Sequence, residues 1–364
     1  MNATLTRRDL VTVLTGAAAI LPAKAAVPIQ SCLLLSVAPD AVTVTAQSGG
    51  SVALVRTSCA ANGATPGEVA VNAAQALSYA KALPEGIVTL TSDGAKLTLT
   101  GGRSKLSVPC LPAADLPPPP DADVRASMTM PVVTWAALSS VAYAAGEADN
   151  KYGLAGAPLS VRGGVLRFAA TDGNRLAVTE AEVPGAIGTG ARQVPADALD
   201  TLRKILPSDG DITIEIGDRA LMARVGSTTA VIRLLEAAFP NFDAVVPTVH
   251  KATVTVDREA LAVAVRRVAL AARDSVRTVR VTFGDEIALS AKSELAGEAV
   301  DSVPCERDGR ASVTMGFNSA FLVDALGQFS SATVTIGISD ALSPVVIRPV
   351  GGSGFAVAMP VRLE

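Results

Sequence analysis

The chain has 364 residues, 49% of them hydrophobic and 18% charged, with a formal net charge of -3. That length is too great for one core and calls for two or three compact domains, and that apolar content excludes a disordered chain. No run of about 18 apolar residues is present to cross a membrane, and the mild acidity does not announce a basic nucleic-acid surface.

The first predicted element is a helix over residues 5–14, LTRRDLVTVL. Leu10, Leu14, Ala17 and Leu21 fall on one stripe with Arg8, Thr12 and Thr15 opposite, the pattern of an amphipathic helix. Arg7-Arg8, the apolar run behind them and Pro22-Ala23-Lys24-Ala25 also have the form of a twin-arginine export signal, but such a peptide needs no polar face. Cys32, Cys59, Cys110 and Cys305 show no C-x-x-C or His-paired spacing, so free thiols in a reducing cytoplasm are expected and a metal site is not. A helix over 71–84, VNAAQALSYAKALP, precedes three alternating runs at 87–92, 96–101 and 105–111, which read as a meander. The Pro-rich stretch 116–124 is a joint, and a helix follows over 130–139, MPVVTWAALS.

The pattern then recurs. A helix over 194–207, VPADALDTLRKILP, leads into runs at 212–216, 221–225 and 230–236; VPTVHK (246–251) forms a second joint; and a helix over 256–265 opens the last part. A helix over 317–330, FNSAFLVDALGQFS, leads into runs at 333–339, 344–350 and 354–361. The three helix-plus-meander units start at 71, 194 and 317, an interval of 123 both times (194 − 71 and 317 − 194). A fixed period of this kind means repeated structural units. With the opening helices counted, three α+β domains of two halves each are expected, bounded near 121 and 249: residues 1–121, 122–249 and 250–364.

Chemistry is hard to assemble from this chain. His250 is the only histidine and falls in a predicted joint, so no Ser/His/Asp, Cys/His or His-metal set can form. Asp197 and Asp200 lie opposite the stripe Leu199, Leu202 and Leu206 and read as a solvated helix face. No G-x-x-x-x-G-K-[ST] loop is present for a nucleotide. A non-catalytic protein without cofactor is expected.

Three distant segments, FAATDGNRLAV (168–178), FPNFDAVVP (239–247) and AMPVRL (358–363), occur in the order and spacing of the bacterial DNA sliding clamp, the β subunit family of the replicative DNA polymerase III. The chain resembles that family from Met1 to Leu363. The resemblance implies three similar domains in a head-to-tail dimeric ring around duplex DNA, held without sequence specificity, with DNA polymerase and clamp-loader subunits tethered through a peptide pocket. It further implies that the pocket is built from Leu154, Thr171, Gly173, Asn174, Arg175, Leu176, Pro240 and Val245 together with Leu342, Val357, Met359, Pro360, Val361 and Arg362. Such a cleft buries the apolar anchors of an extended peptide, and anchors carry most of the binding energy.

The departures from the family are specific. Asn174 stands where the family usually has His, Ala244 replaces a basic residue, Gly153 replaces a second Tyr after Tyr152, and Glu364 extends the terminus. The added negative charge at Glu364 is expected to disfavour acidic peptides. Lys24, Arg8, Lys81, Lys204, Arg266 and Arg267 are the candidate DNA contacts, offset by Glu147, Asp197, Asp200, Glu259 and Asp324, so the helix faces opposite the apolar stripes are near neutral. For ring closure, Arg103, Lys105, Leu106 and Val108 match one side of the family's interface, and Leu270, Ala271, Glu298 and Asp301 match the other. A catalytically inert ring that competes for partners without being loaded on DNA is the alternative that this neutrality leaves open.

Overall fold

The computed structural model describes residues 1–22, 25, 27–116, 123–147, 153–184, 186, 189–237, 239–273, 275–309 and 312–363. Six α-helices are described: α1 (Arg7–Ala18), α2 (Ala73–Ala82), α3 (Val132–Leu138), α4 (Ala196–Ile205), α5 (Arg258–Val268) and α6 (Ser319–Gly327). Their starts are written in the sequence. Thr6, Asn72, Asp257 and Asn318 each accept a backbone N–H from the first turn with the side chain, which satisfies a donor the helix cannot. α4 instead begins after Pro195, whose fixed φ suits a helix entrance.

The chain divides into two compact units, residues 1–135 with 185–236, and residues 136–184 with 237–364. Each contains an antiparallel sheet. In the first unit the strand order is Ala126–Pro131, Asp211–Ile216, Ala220–Val225, Thr228–Arg233, Val52–Ala60, Ala41–Gln47, Cys32–Val37, Gly67–Asn72, Ser104–Leu111, Lys96–Gly101, Ile87–Ser92, Asn2–Thr6 and Asn62–Thr65. α1 packs on α2 and buries Leu10, Val13, Leu14 and Ala17. The expected apolar stripe thus shifts by one neighbour: Val13 joins it, and Leu21 lies beyond the helix end, half-buried. Arg7 is also absorbed by the fold. It donates to the carbonyls of Ala80 (3.2 Å) and Lys81 (2.6 Å) and pairs with Glu85.

The second unit runs Gly156–Arg162, Val165–Thr171, Arg175–Glu182, Phe355–Ala358, Val345–Pro349, Thr333–Ile338, Ala252–Asp257, Gly297–Asp308, Glu286–Ser293, Thr278–Phe283 and Val313–Asn318. α5 packs on α6 over a core that includes Val254, Leu261, Val265, Leu289, Phe317, Leu326 and Ile336, and Phe283 meets Phe317 edge to face at 6.5 Å. The paired strands Arg175–Glu182 and Phe355–Ala358 have partners Leu176↔Val357 and Val178↔Phe355. This pairing brings two of the three segments singled out in the sequence side by side. The helix expected over 130–139 is shorter: Met130 and Pro131 end the strand Ala126–Pro131, α3 covers Val132–Leu138, and a 3-10 turn follows over Ser139–Ala144. Among the described residues no helix is long and apolar enough to cross a membrane. The four cysteines are free thiols.

Candidate functional site

The turn between the strands Val165–Thr171 and Arg175–Glu182 is closed by its own side chains. The Asp172 carboxylate accepts the backbone N–H groups of Asn174 (2.8 Å) and Arg175 (3.0 Å), and the Thr171 hydroxyl donates to the Arg175 carbonyl at 2.5 Å. Gly173, at φ +93°, takes the position that an L side chain would strain. The turn therefore fixes where Arg175 leaves the backbone. Its guanidinium pairs with Asp172 at 2.9 Å and with Asp324 of α6 at 2.8 Å, and it stacks 4.4 Å from the Phe321 ring and 5.4 Å from that of Tyr143. The Tyr143 hydroxyl donates to Gln328 Oε1 at 2.9 Å, and burial, ahead of any charge, pushes this phenol up.

The loop after residue 238 is anchored from below. Arg167 reaches both Asp243 oxygens (2.9 and 3.3 Å), lies 3.0 Å from a Glu180 oxygen and covers the Phe242 ring at 5.0 Å; Phe239 meets Phe242 edge to face. Between this loop, the 171–175 turn and the strand Phe355–Ala358 lies a cavity of about 340 Å³. Leu154, Thr171, Gly173, Arg175, Leu176, Pro240, Val357 and Met359, all expected from the sequence, line it. Asn241 and Phe242, from the segment FPNFDAVVP but not named singly, line it too, as does Pro344, which was not anticipated. Its floor is the apolar cluster of Leu176, Val178, Val346, Phe355 and Val357. A mostly apolar cleft with one immobilised guanidinium is suited to an extended ligand with apolar anchors; it holds no set of groups for acid-base chemistry.

The other expected residues stand apart from the lining. Asn174 is exposed beside the mouth, its carbonyl taking the Met359 N–H at 2.9 Å. Leu342 is 70% exposed and Pro344 occupies the wall instead. Pro360, Val361 and Arg362 follow the edge of the strand Val313–Asn318: the Val361 N–H donates to the Gly316 carbonyl at 2.8 Å, and a Cβ on Gly316 would meet the Val361 carbonyl at 2.7 Å. The Val245 side chain, Lys24 and Glu364 lie outside what is described.

Arg8, Lys81 and Lys204 are exposed on α1, α2 and α4. Arg266 and Arg267 are exposed on α5 but engaged, Arg266 with Glu259 at 3.5 Å and Arg267 with Asp301 at 2.7 Å. Asp324, expected to oppose DNA from the apolar stripe's far side, is bound to Arg175 instead. Of the interface candidates, Arg103 and Lys105 are exposed and Leu106 half-buried, whereas the Val108 side chain points into the core. Leu270 is 72% exposed, Ala271 is buried, Glu298 is exposed, and Asp301 answers Arg267 within the chain. The strands Ser104–Leu111 and Gly297–Asp308 share one property. Each pairs with its hairpin partner along most of its length and with a different strand only at its end, Cys110 and Leu111 in one and Cys305 to Asp308 in the other.

Comparisons with known proteins converge. The N-terminal, central and C-terminal domain profiles of the DNA polymerase III beta subunit match residues 1–120, 133–241 and 243–362. The beta sliding clamps of Pseudomonas aeruginosa and Vibrio cholerae are each 27% identical to this chain, and that of Caulobacter vibrioides 26%, with full coverage of both chains in every case. The crystal structure of the Pseudomonas aeruginosa clamp bound to griselimycin superposes with a TM-score of 0.92 over the whole of both chains at 27% identity. A second structure of the DNA polymerase III subunit beta from that organism gives 0.91. With three domain profiles in family order along one chain and a fold shared at full length, the chain belongs to the DNA polymerase III beta subunit family, the sliding clamps that serve as processivity factors and not as enzymes.

Proposed function

We propose that this chain is a cytoplasmic clamp that closes with a second copy into a ring around duplex DNA, and that the cavity between Leu176 and Met359 receives peptides of the DNA polymerase and clamp-loader subunits it tethers. The observation that carries the peptide reading is the cavity itself: eight expected residues drawn from four separate stretches of the chain converge on one apolar cleft. The reading assigns three domains with joints near 121 and 249, in keeping with family matches that end at 120 and 241. Ring closure would use the two half-open strands Ser104–Leu111 and Gly297–Asp308, since an unpaired edge is a template for another chain. Arg103 just before one, Lys105 on it and Glu298 on the other would fix the register more than the affinity.

The duplex would be held by encirclement. Among the candidate contacts Arg266 and Arg267 are compensated by acids, whereas about 6–10 phosphate contacts would be needed to lose roughly 10³–10⁵ in affinity between 50 and 200 mM salt. The test is loading by a clamp loader onto nicked circular DNA. The protein should persist on the circle at high salt, leave when the circle is linearised, and bind short linear duplex weakly with a shallow salt dependence. Failure to load, with peptide binding intact, would favour the inert competitor instead.

A further inference from the structure

The first compact unit contains a cavity larger than the peptide cleft, about 720 Å³, and the repeat of the chain relates the two. Four of its lining residues, Gln30, Gln47, Gly49 and Leu116, stand 124 positions ahead of four that line the cleft, Leu154, Thr171, Gly173 and Pro240 (154 − 30, 171 − 47, 173 − 49, 240 − 116). The strand frame agrees to within one residue: Val52, 124 positions ahead of Leu176, pairs with Ile232, and Leu176 pairs with Val357, 125 positions on from Ile232 (357 − 232), the first pairing lying at a register shift. The same hairpin, third strand and incoming loop thus enclose a cavity twice.

The chemistry of the second cavity differs in charge. Its apolar wall comes from Ile20, Leu21, Ile29 and Leu116, all half-buried. Where the cleft has Arg175 held by two carboxylates, the position 124 residues ahead is Ser51, which does not line this cavity, and the cavity's cation comes from the third strand as Arg233. Arg233 is oriented by the Ser48 carbonyl at 2.9 Å and by the Gly50 carbonyl. Among the described residues it forms no ion pair, and no acid lines the cavity. A positioned guanidinium without a carboxylate, beside an apolar wall, selects an anion carried on an apolar ligand.

We propose that this cavity is a second peptide site, whose ligand is an extended partner segment with aliphatic anchors and a carboxylate that pairs with Arg233. The choice of a peptide rests on reading the Leu176–Met359 cleft as a peptide site. The charge preference rests on Arg233 alone and is opposite in sense to that expected at the cleft.

The experiment uses full-length protein carrying Met359→Asp, which spoils the cleft, and two fluorescein-labelled peptides, acetyl-Leu-Ile-Ser-Glu and acetyl-Leu-Ile-Ser-Gln amides, titrated by anisotropy to millimolar protein. The Glu peptide should bind, and more tightly than the Gln peptide by about fivefold, the size of a partly exposed ion pair. Arg233→Gln should abolish that preference and Arg233→Lys should keep most of it; both changes are at an exposed side chain, and a photo-reactive leucine in the peptide should mark residues 20–22 or Leu116. Binding of both peptides that is lost with Met359→Asp and indifferent to Arg233→Gln would overturn the second site while leaving the cleft standing. Binding that depends on Arg233 and ignores Met359→Asp supports the second site and counts against the cleft. No binding to any form, or displacement of the Glu peptide by a short duplex but not by unlabelled peptide, would overturn the proposal, the latter by assigning Arg233 to phosphate.

Discussion

Replacing Arg175 with Ala removes a side chain that is only 16% exposed and has three kinds of partner. The pair with Asp324 is the more exposed of its two, at 41% on the acid side, so water recovers part of it. The pair with Asp172 is drier, yet the Asp172 carboxylate keeps its two backbone N–H donors after the truncation. Together these two contacts contribute about 1–2 kcal/mol, in the range of partly buried charge-assisted hydrogen bonds. Stacking on Phe321 at 4.4 Å adds about 0.5–1 kcal/mol. A loss of about 1.5–3 kcal/mol is therefore expected for Arg175→Ala in urea unfolding followed by circular dichroism. Arg175→Lys should recover less than half of it, because an ammonium cannot bond two carboxylates in a fork while stacking on a ring. Hydrogen exchange should speed up along the strand Arg175–Glu182 and α6 before it does elsewhere. A loss below about 0.5 kcal/mol, or full recovery by Lys, would show that the guanidinium is a solvated surface group and that the cleft wall is held by its apolar floor alone.

Three further outcomes are expected. Met359→Asp should weaken a peptide with Leu and Phe anchors by about 2 kcal/mol, the scale of a hot-spot loss, while Arg362→Ala leaves it unchanged because the tail beyond Met359 follows the edge of Val313–Asn318; calorimetry showing equal affinity for Met359→Asp would remove the cleft as the site. Arg103→Glu with Lys105→Glu should shift the assembly toward monomer in sedimentation, and a stable monomer of the unaltered protein at micromolar concentration would refute closure through that edge. Burial, reinforced by the nearby Asp9 charge, pushes the Cys59 thiol up to about 11, so its thiolate grows in only as pH approaches 11. Its alkylation at pH 8 should be about 100-fold slower than that of an unperturbed thiol, and rapid labelling would contradict the burial.

What the sequence made legible was whatever local chemistry decides. Asn72 and Asn318, one residue ahead of α2 and α6, cap those helices as their type suggests, and the alternation in IVTLTS and KLTLTG became the strands Ile87–Ser92 and Lys96–Gly101. The strand Asn2–Thr6 was hidden, because its two inward residues, Ala3 and Leu5, give too short an alternation to separate from the helix that starts at Arg7. The 3-10 turn after α3 was not read from the sequence, and at its junction the Leu138 carbonyl accepts from the Thr179 hydroxyl at 2.6 Å, a contact made 41 residues away. Pro344, outside the three segments, was not read as lining the cleft, and Phe242 was not named singly, although Arg167, far away in sequence, lies over its ring at the cleft. The exposure of Arg8, Lys81 and Lys204 on their helices was readable, but the pairing of the charges was not, because the partners of Arg267 and Asp324 lie on other elements.

The two cavities show how one repeated frame can diverge in what it selects without changing its backbone. In the second unit, Asp172 both closes the turn and holds Arg175, so the cation arrives already neutralised and the cleft offers an anionic or neutral ligand little beyond apolar area. In the first unit the turn is Ser48-Gly49-Gly50-Ser51, closed by the Ser48 hydroxyl accepting the Gly50 N–H at 3.1 Å, and no carboxylate is built in. The guanidinium that comes from the neighbouring strand can then bond only carbonyls, which orient it and leave its charge uncompensated. A carboxylate present in one turn and missing from the other thus decides which cavity reads charge. Introducing an acid at Ser48, which lines the first cavity 124 positions ahead of Asp172, should silence its anion preference in the peptide titration, because Arg233 would acquire within the chain the kind of partner that Arg175 already has.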